Sequence, residues 1–283
     1  MLNALYLITI ILGVAGQNIV KKPYVQKLGN KGVYFFGMAV SLAALLFFVF
    51  TSDGLDFNLA VLPYSLGFAA AYCLAIALGV VAVKEGSLSL TSLITSYSLM
   101  MPTFYGLIFL NDPISFGLIP GLVLLVISLY FINKKDGESK FSPLWIVSVT
   151  VVFIGNGFCS IVQKMQQVAF DGAYKNEFMI FALGAVFLSM LVLFLVKERS
   201  YARLCVRSGA VLSLVCGLMN GIVNLFVMIL SGLMPVSLMF PMISAGGIIL
   251  VAAVSKFIYK ERLTRLQWLG LAFGVGAVVF LNI

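Results

Sequence analysis

Histidine is absent from the sequence, and only ten of its 283 residues are acidic. Every acidic residue lies between two long apolar runs or at the end of one: Asp53, Asp56, Glu85, Asp112, Asp136, Glu138, Asp171, Glu177, Glu198 and Glu261. Inside apolar helical segments, proton relays and cation sites usually depend on a carboxylate or a histidine. The sequence therefore predicts that no side chain within the apolar runs carries protons or binds cations.

Motifs of known catalytic chemistry are also missing. No G-x-S-x-G sequence is present to supply a serine nucleophile, and the apolar runs lack the acidic residues and histidines that proteolysis within a membrane requires. Four cysteines show neither C-x-x-C nor metal-site spacing: Cys73, Cys159, Cys205 and Cys216. We therefore expect no enzymatic activity, no metal site and no cofactor.

Charge is scarce throughout the chain. Charged residues make up 10% of the sequence and apolar residues 62%, whereas typical soluble domains contain about 25% charged residues. Ten apolar runs of about 17 to 25 residues are long enough to cross a hydrocarbon core of ~30 Å: Ala4–Val20, Val33–Phe50, Leu59–Val83, Leu88–Leu110, Ser115–Ile132, Leu144–Val162, Phe178–Val196, Gly209–Leu230, Val236–Tyr259 and Leu266–Asn282. Backbone groups in lipid must pair within their own segment, so these runs are helices. The sequence predicts an all-α polytopic membrane protein with ten transmembrane helices.

Long connections are missing as well. The longest lie at residues 133–143 and 164–177, which is within the ordinary length of loops. They leave no room for a soluble domain. The first apolar run lacks the basic segment that begins a secretory signal peptide, so we interpret it as the first span.

The chain repeats itself. The segment Tyr259–Asn282 restates Leu110–Asn133, 149 positions upstream, and each copy is an acidic turn followed by a glycine-bearing apolar helix. A weaker correspondence, at an offset of 142, pairs Lys22 with Lys164. A diverged duplication with a loop-sized insertion explains both offsets. The sequence therefore predicts two five-helix units, at residues 1–133 and 144–283.

An odd number of spans in each unit sets the second unit upside down relative to the first, which makes an inverted-topology repeat. Such repeats typically bind a solute near the middle of the membrane, where the two units meet. The units then rock so that the solute is exposed to one side and then to the other. This predicted architecture favours transport by alternating access.

Basic residues are distributed unevenly between the two sides of the predicted membrane protein. Sixteen of the 18 lysines and arginines lie in or beside odd-numbered loops, which leaves Lys164 and Lys175 for the even-numbered loops. Because lysine and arginine are enriched in cytoplasmic loops, the odd loops are predicted to be cytoplasmic and both termini extracytoplasmic. The net charge of +8 comes from these thinly spread residues, which form no nucleic-acid patch.

The end of the chain resembles a known transporter family. Lys260–Thr264 (KERLT) and Gln267–Gly270 (QWLG), followed by a glycine-bearing helix, are similar to the C-terminal signature of EamA-type members of the drug/metabolite transporter superfamily. Asn111–Ser115 is a degraded copy of this motif. The resemblance implies a ten-helix carrier of small metabolites, with a central cavity and with helices five and ten at the periphery. Many relatives are basic after the second span, where this chain has Asp53 and Asp56. Either its orientation is opposite to theirs or its loop charges do not report orientation.

Neutral polar residues recur at helical spacing within several runs. On the eighth helix, for example, Asn220 and Asn224 are one turn apart and share a face. Such stripes predict the lining of a solute cavity at the centre of the protein. The candidate lining residues are Gln17, Asn18, Lys22, Tyr72, Thr95, Tyr105, Asn156, Ser160, Gln163, Lys164, Asn220, Asn224, Phe240 and Ser244.

The same residues have a simpler interpretation, namely hydrogen bonds between or within helices. Serine and threonine can bond to their own backbone, which favours the simpler interpretation for them. Side-chain amides do so less readily, so Asn156, Asn220 and Asn224 favour a cavity. Lys22 and Lys164 either extend to the lipid headgroups or give the cavity a positive potential that suits a carboxylate or phosphate.

These patterns predict a transporter of a small polar metabolite, amino acid-like and neutral or anionic, in the bacterial plasma membrane. The solute and the lipid bilayer are its expected partners, without nucleic acid, and the chain acts as a monomer or a homodimer. Two alternatives remain: a flippase component for lipids or lipid-linked sugars, and a non-transporting membrane interaction protein. Amides on the first, sixth and eighth helices favour a sealed polar cavity over a lipid groove, which would require a lateral gap lined by apolar residues.

Overall fold

The computed structural model of the protein describes residues 2–52, 54–56, 58–85, 97–133, 142–257 and 264–281. These residues form α-helices joined by short turns, with no β-strand among them. The helices are α1 (Leu2–Leu28), α2 (Val33–Thr51), α3 (Leu62–Glu85), α4 (Met100–Phe109), α5 (Leu118–Asn133), α6 (Pro143–Ala169), α7 (Lys175–Lys197), α8 (Ala202–Leu233), α9 (Val236–Phe257) and α10 (Arg265–Leu281). The predicted all-α class is confirmed.

Six described helical segments are long and apolar enough to cross a membrane: Leu2–Leu28, Val33–Thr51, Leu59–Gly79, Pro143–Ala169, Lys175–Lys197 and Arg199–Leu233. The apolar segments of α4, α5, α9 and α10 are shorter within the described residues. Large apolar side chains also face outward, as with Phe50 and Phe116, which are 82% and 86% exposed. Such exposure suits a protein that is surrounded by lipid, so a multi-pass membrane protein is supported.

Three helices extend beyond the apolar runs that predicted them. α1 and α6 each continue for about two turns, to Leu28 and Ala169, and α8 begins at Ala202 rather than Gly209. The added turns are rich in glutamine, lysine and arginine, which are polar but good helix formers. An apolar run therefore ends before the hydrogen-bonded helix does.

The helices pack in recurring pairs. α1 packs against α8 and α9, and α6 packs against α3 and α4. α2 contacts α7 and α8, α3 contacts α7, α4 contacts α9, and α5 contacts α10. Large buried side chains, including Phe48, Phe178 and Met228, form an apolar core where α2, α3, α6, α7 and α8 meet. This core therefore joins helices from the first and the second half of the chain.

Glycines allow some of these pairs to approach closely. A Cβ atom at Gly117 would overlap the carbonyl oxygen of Phe280 on α10. A Cβ atom at Gly217 would lie 2.6 Å from the carbonyl oxygen of Val40 on α2. Small residues at such crossings are typical of helices that pack within membranes. Both of these seams lie between helices of the same chain.

Acidic residues at the helix ends stabilise helices that are distant in sequence. The buried carboxylate of Glu198 accepts hydrogen bonds of 2.8 to 3.1 Å from the backbone N–H groups of Val33–Phe35, at the start of α2. Asp112 accepts a hydrogen bond of 3.0 Å from the backbone N–H of Ser237, at the start of α9. Because the first N–H groups of a helix have no intrahelical partner, these acids cap α2 and α9.

Candidate functional site

A network of side-chain amides joins three helices in the interior of the protein. Gln17 on α1 accepts a hydrogen bond of 3.2 Å from the side-chain nitrogen of Asn220 on α8. Asn224, one turn further along α8, donates to the side-chain oxygen of Asn220 at 3.1 Å. Asn224 also accepts a hydrogen bond of 2.8 Å from the side chain of Gln163 on α6. We refer to Gln17, Gln163, Asn220 and Asn224 as the amide network.

The amide network is withdrawn from the surface. Gln163 and Asn220 are 4% and 8% exposed, and Gln17 and Asn224 are half-buried. All four residues belong to helices that are long enough to cross a membrane. Since a buried amide without a partner is unfavourable by several kcal/mol in an apolar environment, the mutual hydrogen bonds explain how these polar groups are accommodated there.

A small residue brings α1 close enough to α8 for the first of these contacts. A Cβ atom at Gly16 would lie only 2.9 Å from the sulfur of Met219 on α8. Gln17 follows Gly16 directly, so its side chain reaches Asn220 across a narrow interface. The i, i+4 spacing then sets Asn224 on the same face of α8 as Asn220, where it meets the side chain that arrives from α6.

Three further predicted residues lie on helices that carry or adjoin the network. Tyr72 on α3 is half-buried and packs against the apolar core where α2, α3, α6, α7 and α8 meet. The hydroxyl of Ser160 donates to the backbone oxygen of Asn156, one turn earlier on α6, at 3.3 Å. Ser160 therefore follows the simpler interpretation of serine. Asn156 is half-buried on the same helix as Gln163.

Lys164 is bonded to the end of α8. Its ammonium group donates a hydrogen bond of 2.6 Å to the backbone oxygen of Ser231, about two helical turns beyond Asn224. The carboxylate of Asp112 is near enough to attract this ammonium group. A cation beside the last carbonyl groups of a helix is stabilised by the helix dipole, so Lys164 ties α6 to the C-terminal end of α8.

The predicted residues of α4 and α9 form no hydrogen bond with the amide network within the described residues. Tyr105 stacks on Phe109 within α4, with ring centroids 5.3 Å apart. Phe240 is 2% exposed and packs in an apolar cluster formed mainly by α1, α8 and α9. The buried hydroxyl of Ser244 has no hydrogen-bond partner in the described part of the chain. Ser244 therefore offers an unused polar group on α9.

Three candidate residues have no described side chain. Thr95 lies outside the described residues. Asn18 and Lys22 belong to α1, but only their backbone is described. The predicted correspondence between Lys22 and Lys164 therefore stays a prediction, as does the role of the motif at residues 260–263, which also lies outside the described residues.

Two cavities of the described residues differ in character. The first, of about 180 Å³, lies between α1 and α9 and is lined by Ala4, Leu7, Ile8, Ile11, Met242 and Gly246. We refer to it as the apolar gap. The second, of about 240 Å³, lies between the α6–α7 loop and the end of α8 and is lined by Gln167, Asp171, Gly172, Lys175, Ile229, Gly232 and Leu233. We refer to it as the loop cavity.

Sequence reasoning missed the polar residues of the loop cavity. From the sequence alone, Asp171 and Lys175 are only loop charges, and Gln167 carries no separate prediction. A signal was available, because Gln167 follows Gln163 by four residues and so lies on the same face of α6. The polar face of α6 therefore continues from the amide network to the loop cavity.

The amide network supplies hydrogen-bond donors and acceptors without a net charge. Each amide can both donate and accept, so a polar solute could replace one network hydrogen bond with bonds of its own. No group of three or more histidine, cysteine, aspartate or glutamate residues that could hold a metal ion occurs in the described part of the chain. The arrangement suits non-covalent recognition of a polar solute.

Comparisons with known proteins identify the fold but give no function. No family model matches the chain. An uncharacterized protein of Haemophilus influenzae is 26% identical over 190 residues, and the match covers 64% of this chain and 62% of that protein. A solved crystal structure aligns with 99% of this chain and 98% of its own, with a TM-score of 0.74 and 10% sequence identity. At this low identity, the likeness shows a shared fold alone.

Proposed function

We propose that the protein transports a small polar metabolite across a bacterial plasma membrane and is an EamA-type member of the drug/metabolite transporter superfamily. The amide network carries this proposal. Side chains from α1, α6 and α8 converge in it, within helices whose surroundings make polar groups costly and often functional. Its neutral donors and acceptors suit an amino acid-like solute that is neutral or anionic.

The pairing of helices supports two inverted units, residues 1–133 and 144–283, in which α6 to α10 are the counterparts of α1 to α5. If each helix is replaced by its counterpart in the other unit, the contact between α1 and α8 becomes the contact between α6 and α3, which is also observed. In the same way, the α1–α9 contact becomes the observed α6–α4 contact. The same exchange converts α2–α8 into α7–α3 and leaves α2–α7, α4–α9 and α5–α10 unchanged. A two-fold relation between units of opposite orientation is typical of alternating-access transporters.

In the proposed mechanism, the amide network exchanges its partners during transport. Gln17 and Gln163 lie on the counterpart helices α1 and α6, and each reaches an asparagine on α8. Rocking one unit against the other separates α8 from one of these helices and opens the network to one side of the membrane. The solute then replaces the hydrogen bond that has been broken.

A thermal-shift screen of small polar metabolites on the purified protein tests this proposal, because a ligand of the folded state raises the melting temperature. We expect at least one amino acid-like compound to stabilise the wild-type protein and to lose this effect in Asn224→Ala. Ser213→Ala is a matched control, since the Ser213 hydroxyl bonds to the backbone of its own helix at Gly209. The absence of any stabilising compound, or equal stabilisation of Asn224→Ala by every compound that stabilises the wild type, would contradict the proposal.

The apolar gap favours a second candidate function, that of a lipid or lipid-linked sugar flippase. Its six lining residues are all apolar, and Ile8 at its edge is 53% exposed to the surroundings. An acyl chain can lie against such a surface from within the bilayer. Liposomes with fluorescent phospholipids, bleached from outside by dithionite, test this function. Faster loss of inner-leaflet fluorescence with the protein than without it supports a flippase.

A further inference from the structure

We infer that the loop cavity binds a small zwitterion, a molecule that carries both an ammonium and a carboxylate group. The cavity lies between the α6–α7 loop and the end of α8, and its lining residues are distinct from those of the amide network. The inference concerns a second site and holds whether or not the amide network transports a solute. One pole of the cavity accepts hydrogen bonds, and the other carries positive charge.

Gln167 and Asp171 form the accepting pole. Gln167 is 4% exposed, and its amide nitrogen donates to the side-chain oxygen of Gln166 at 2.7 Å. Its amide oxygen accepts no hydrogen bond in the described part of the chain. This oxygen lies 3.3 Å and 3.7 Å from the points that a Cβ atom would occupy at Gly232 and Gly172, two residues that line the cavity. Since an amide oxygen can accept hydrogen bonds, this oxygen is available to a ligand that donates one.

Lys175 and the start of α7 form the positive pole. Lys175 is the first residue of this 23-residue helix, and the preceding Tyr174 provides no side-chain cap. The first N–H groups of any α-helix lack an intrahelical partner, and here the side chain of Tyr174 does not supply one. These N–H groups and the positive end of the helix dipole attract anions, and the Lys175 ammonium group adds a full charge beside them.

The opposite charges of Asp171 and Lys175 line one cavity but form no ion pair with each other among the described residues. Opposite charges attract across such a space. A dipolar ligand placed between them satisfies both charges at once, with its ammonium group towards Asp171 and Gln167 and its carboxylate towards Lys175. A simple anion or a simple cation would satisfy one pole only.

Local hydrogen bonds hold the loop in an uncommon conformation. Asp171 has a φ of 48°, in the left-handed region that residues other than glycine rarely adopt, and Gly172 has a φ of 80°. The backbone N–H of Gly172 donates to the backbone oxygen of Gln167 at 2.9 Å, and the side chain of Gln166 donates to the backbone oxygen of Ala173 at 2.8 Å. These bonds fix the loop backbone around Asp171 before a ligand arrives, which reduces the entropy cost of binding.

The loop cavity has room for a small molecule. Its volume is about 240 Å³. A neutral L-amino acid with a short side chain fits this space and carries both charged groups on one carbon atom. The neutral L-amino acids are therefore the ligands to test first.

Isothermal titration calorimetry of the neutral L-amino acids into the purified full-length protein, in detergent, measures this binding. We expect at least one amino acid to bind. Analogues of that amino acid that lack either the ammonium or the carboxylate group should bind about tenfold more weakly, because each loses a charge-assisted contact. If every amino acid fails to bind, or if removal of either charged group leaves the affinity unchanged, the inference is overturned.

Variants distinguish the loop cavity from the rest of the protein. Asp171→Asn and Lys175→Gln should each weaken binding about fivefold, within the range of partly exposed ion pairs. Lys197→Gln, at the opposite end of α7, is the matched control and should bind like the wild type. Wild-type affinity in both loop-cavity variants would assign the amino acid to another part of the protein and overturn the inference.

Discussion

The side-chain nitrogen of Asn220 donates a hydrogen bond of 3.2 Å to the side-chain oxygen of Gln17, a residue 203 positions earlier in the chain. This bond joins α8 to α1 within the interior of the protein. Neither residue is charged, so the contact can break and form again without moving a charge through an apolar environment. This property suits a site whose partners change during a transport cycle.

A double-mutant cycle on Gln17→Ala and Asn220→Ala tests how much the bond stabilises the fold. Interhelical hydrogen bonds in membranes contribute about 0.6 kcal/mol on average and at most about 1.7 kcal/mol, so we expect an interaction energy in this range. Denaturant unfolding in mixed micelles measures it. An interaction energy of several kcal/mol would instead show that the bond mainly stabilises the fold, and it would argue against exchange of the bond during transport.

Replacing Glu198 should destabilise the protein, because its buried carboxylate caps three N–H groups at the start of α2. Glu198→Ala leaves these donors without their acceptor, which we expect to lower the free energy of unfolding by about 3 kcal/mol. Glu198→Gln retains one acceptor oxygen and should lower it by roughly half as much. Thermal unfolding of the two variants and the wild type gives the order, and equal stability of Glu198→Ala and the wild type would contradict the capping role.

Gly117→Ala should disturb the packing of α5 on α10, because the new Cβ atom would overlap the carbonyl oxygen of Phe280. Overpacking of this kind costs about 1–3 kcal/mol. Gly184 on α7 provides the matched control, since a Cβ atom there meets no atom within 4 Å. Gly184→Ala should be neutral or stabilise the protein by up to about 1 kcal/mol, through the higher helix propensity of alanine. Melting temperatures in the reverse order would refute this account of the interface.

The distribution of basic residues predicts that the C-terminus is extracytoplasmic. Alkaline phosphatase fused after Ile283 should therefore be active in bacterial cells, and green fluorescent protein at the same position should stay dark. Strong cytoplasmic fluorescence with inactive phosphatase would place the C-terminus in the cytoplasm and contradict the predicted orientation. The loop cavity, beside the even-numbered α6–α7 loop, faces the outside in the predicted orientation.

The sequence was a good guide to the helices but a poorer guide to their ends. Apolar runs located the helical segments because lipid-facing and packed residues are both apolar. Apolar runs do not reveal the polar turns at the end of α1 and at the start of α8, because glutamine, lysine and arginine interrupt an apolar run without interrupting a helix. The cap at Glu198 was unpredictable for a different reason, because it joins segments 163 to 165 residues apart.

The candidate site shows the same division. The helical spacing of Asn220 and Asn224 correctly predicted that the two residues share a face of α8. Their partners could not be predicted, because the choice of Gln17 and Gln163 depends on how α1 and α6 pack against α8. The bond from Lys164 to Ser231 could not be predicted either, because its acceptor is a backbone oxygen. Every residue has such an oxygen, so the sequence does not indicate which one is bonded.

Solute uptake into liposomes that contain the purified protein tests the central claim most directly. The solute is the compound that stabilises the wild-type protein in the thermal-shift screen. We predict saturable uptake by the wild type and by Ser213→Ala, and uptake about tenfold slower in Asn220→Ala and Asn224→Ala at equal amounts of folded protein, because each loses a hydrogen bond worth about 1 kcal/mol or more to the bound solute. Wild-type uptake in both asparagine variants, or no uptake above protein-free liposomes, would contradict the account.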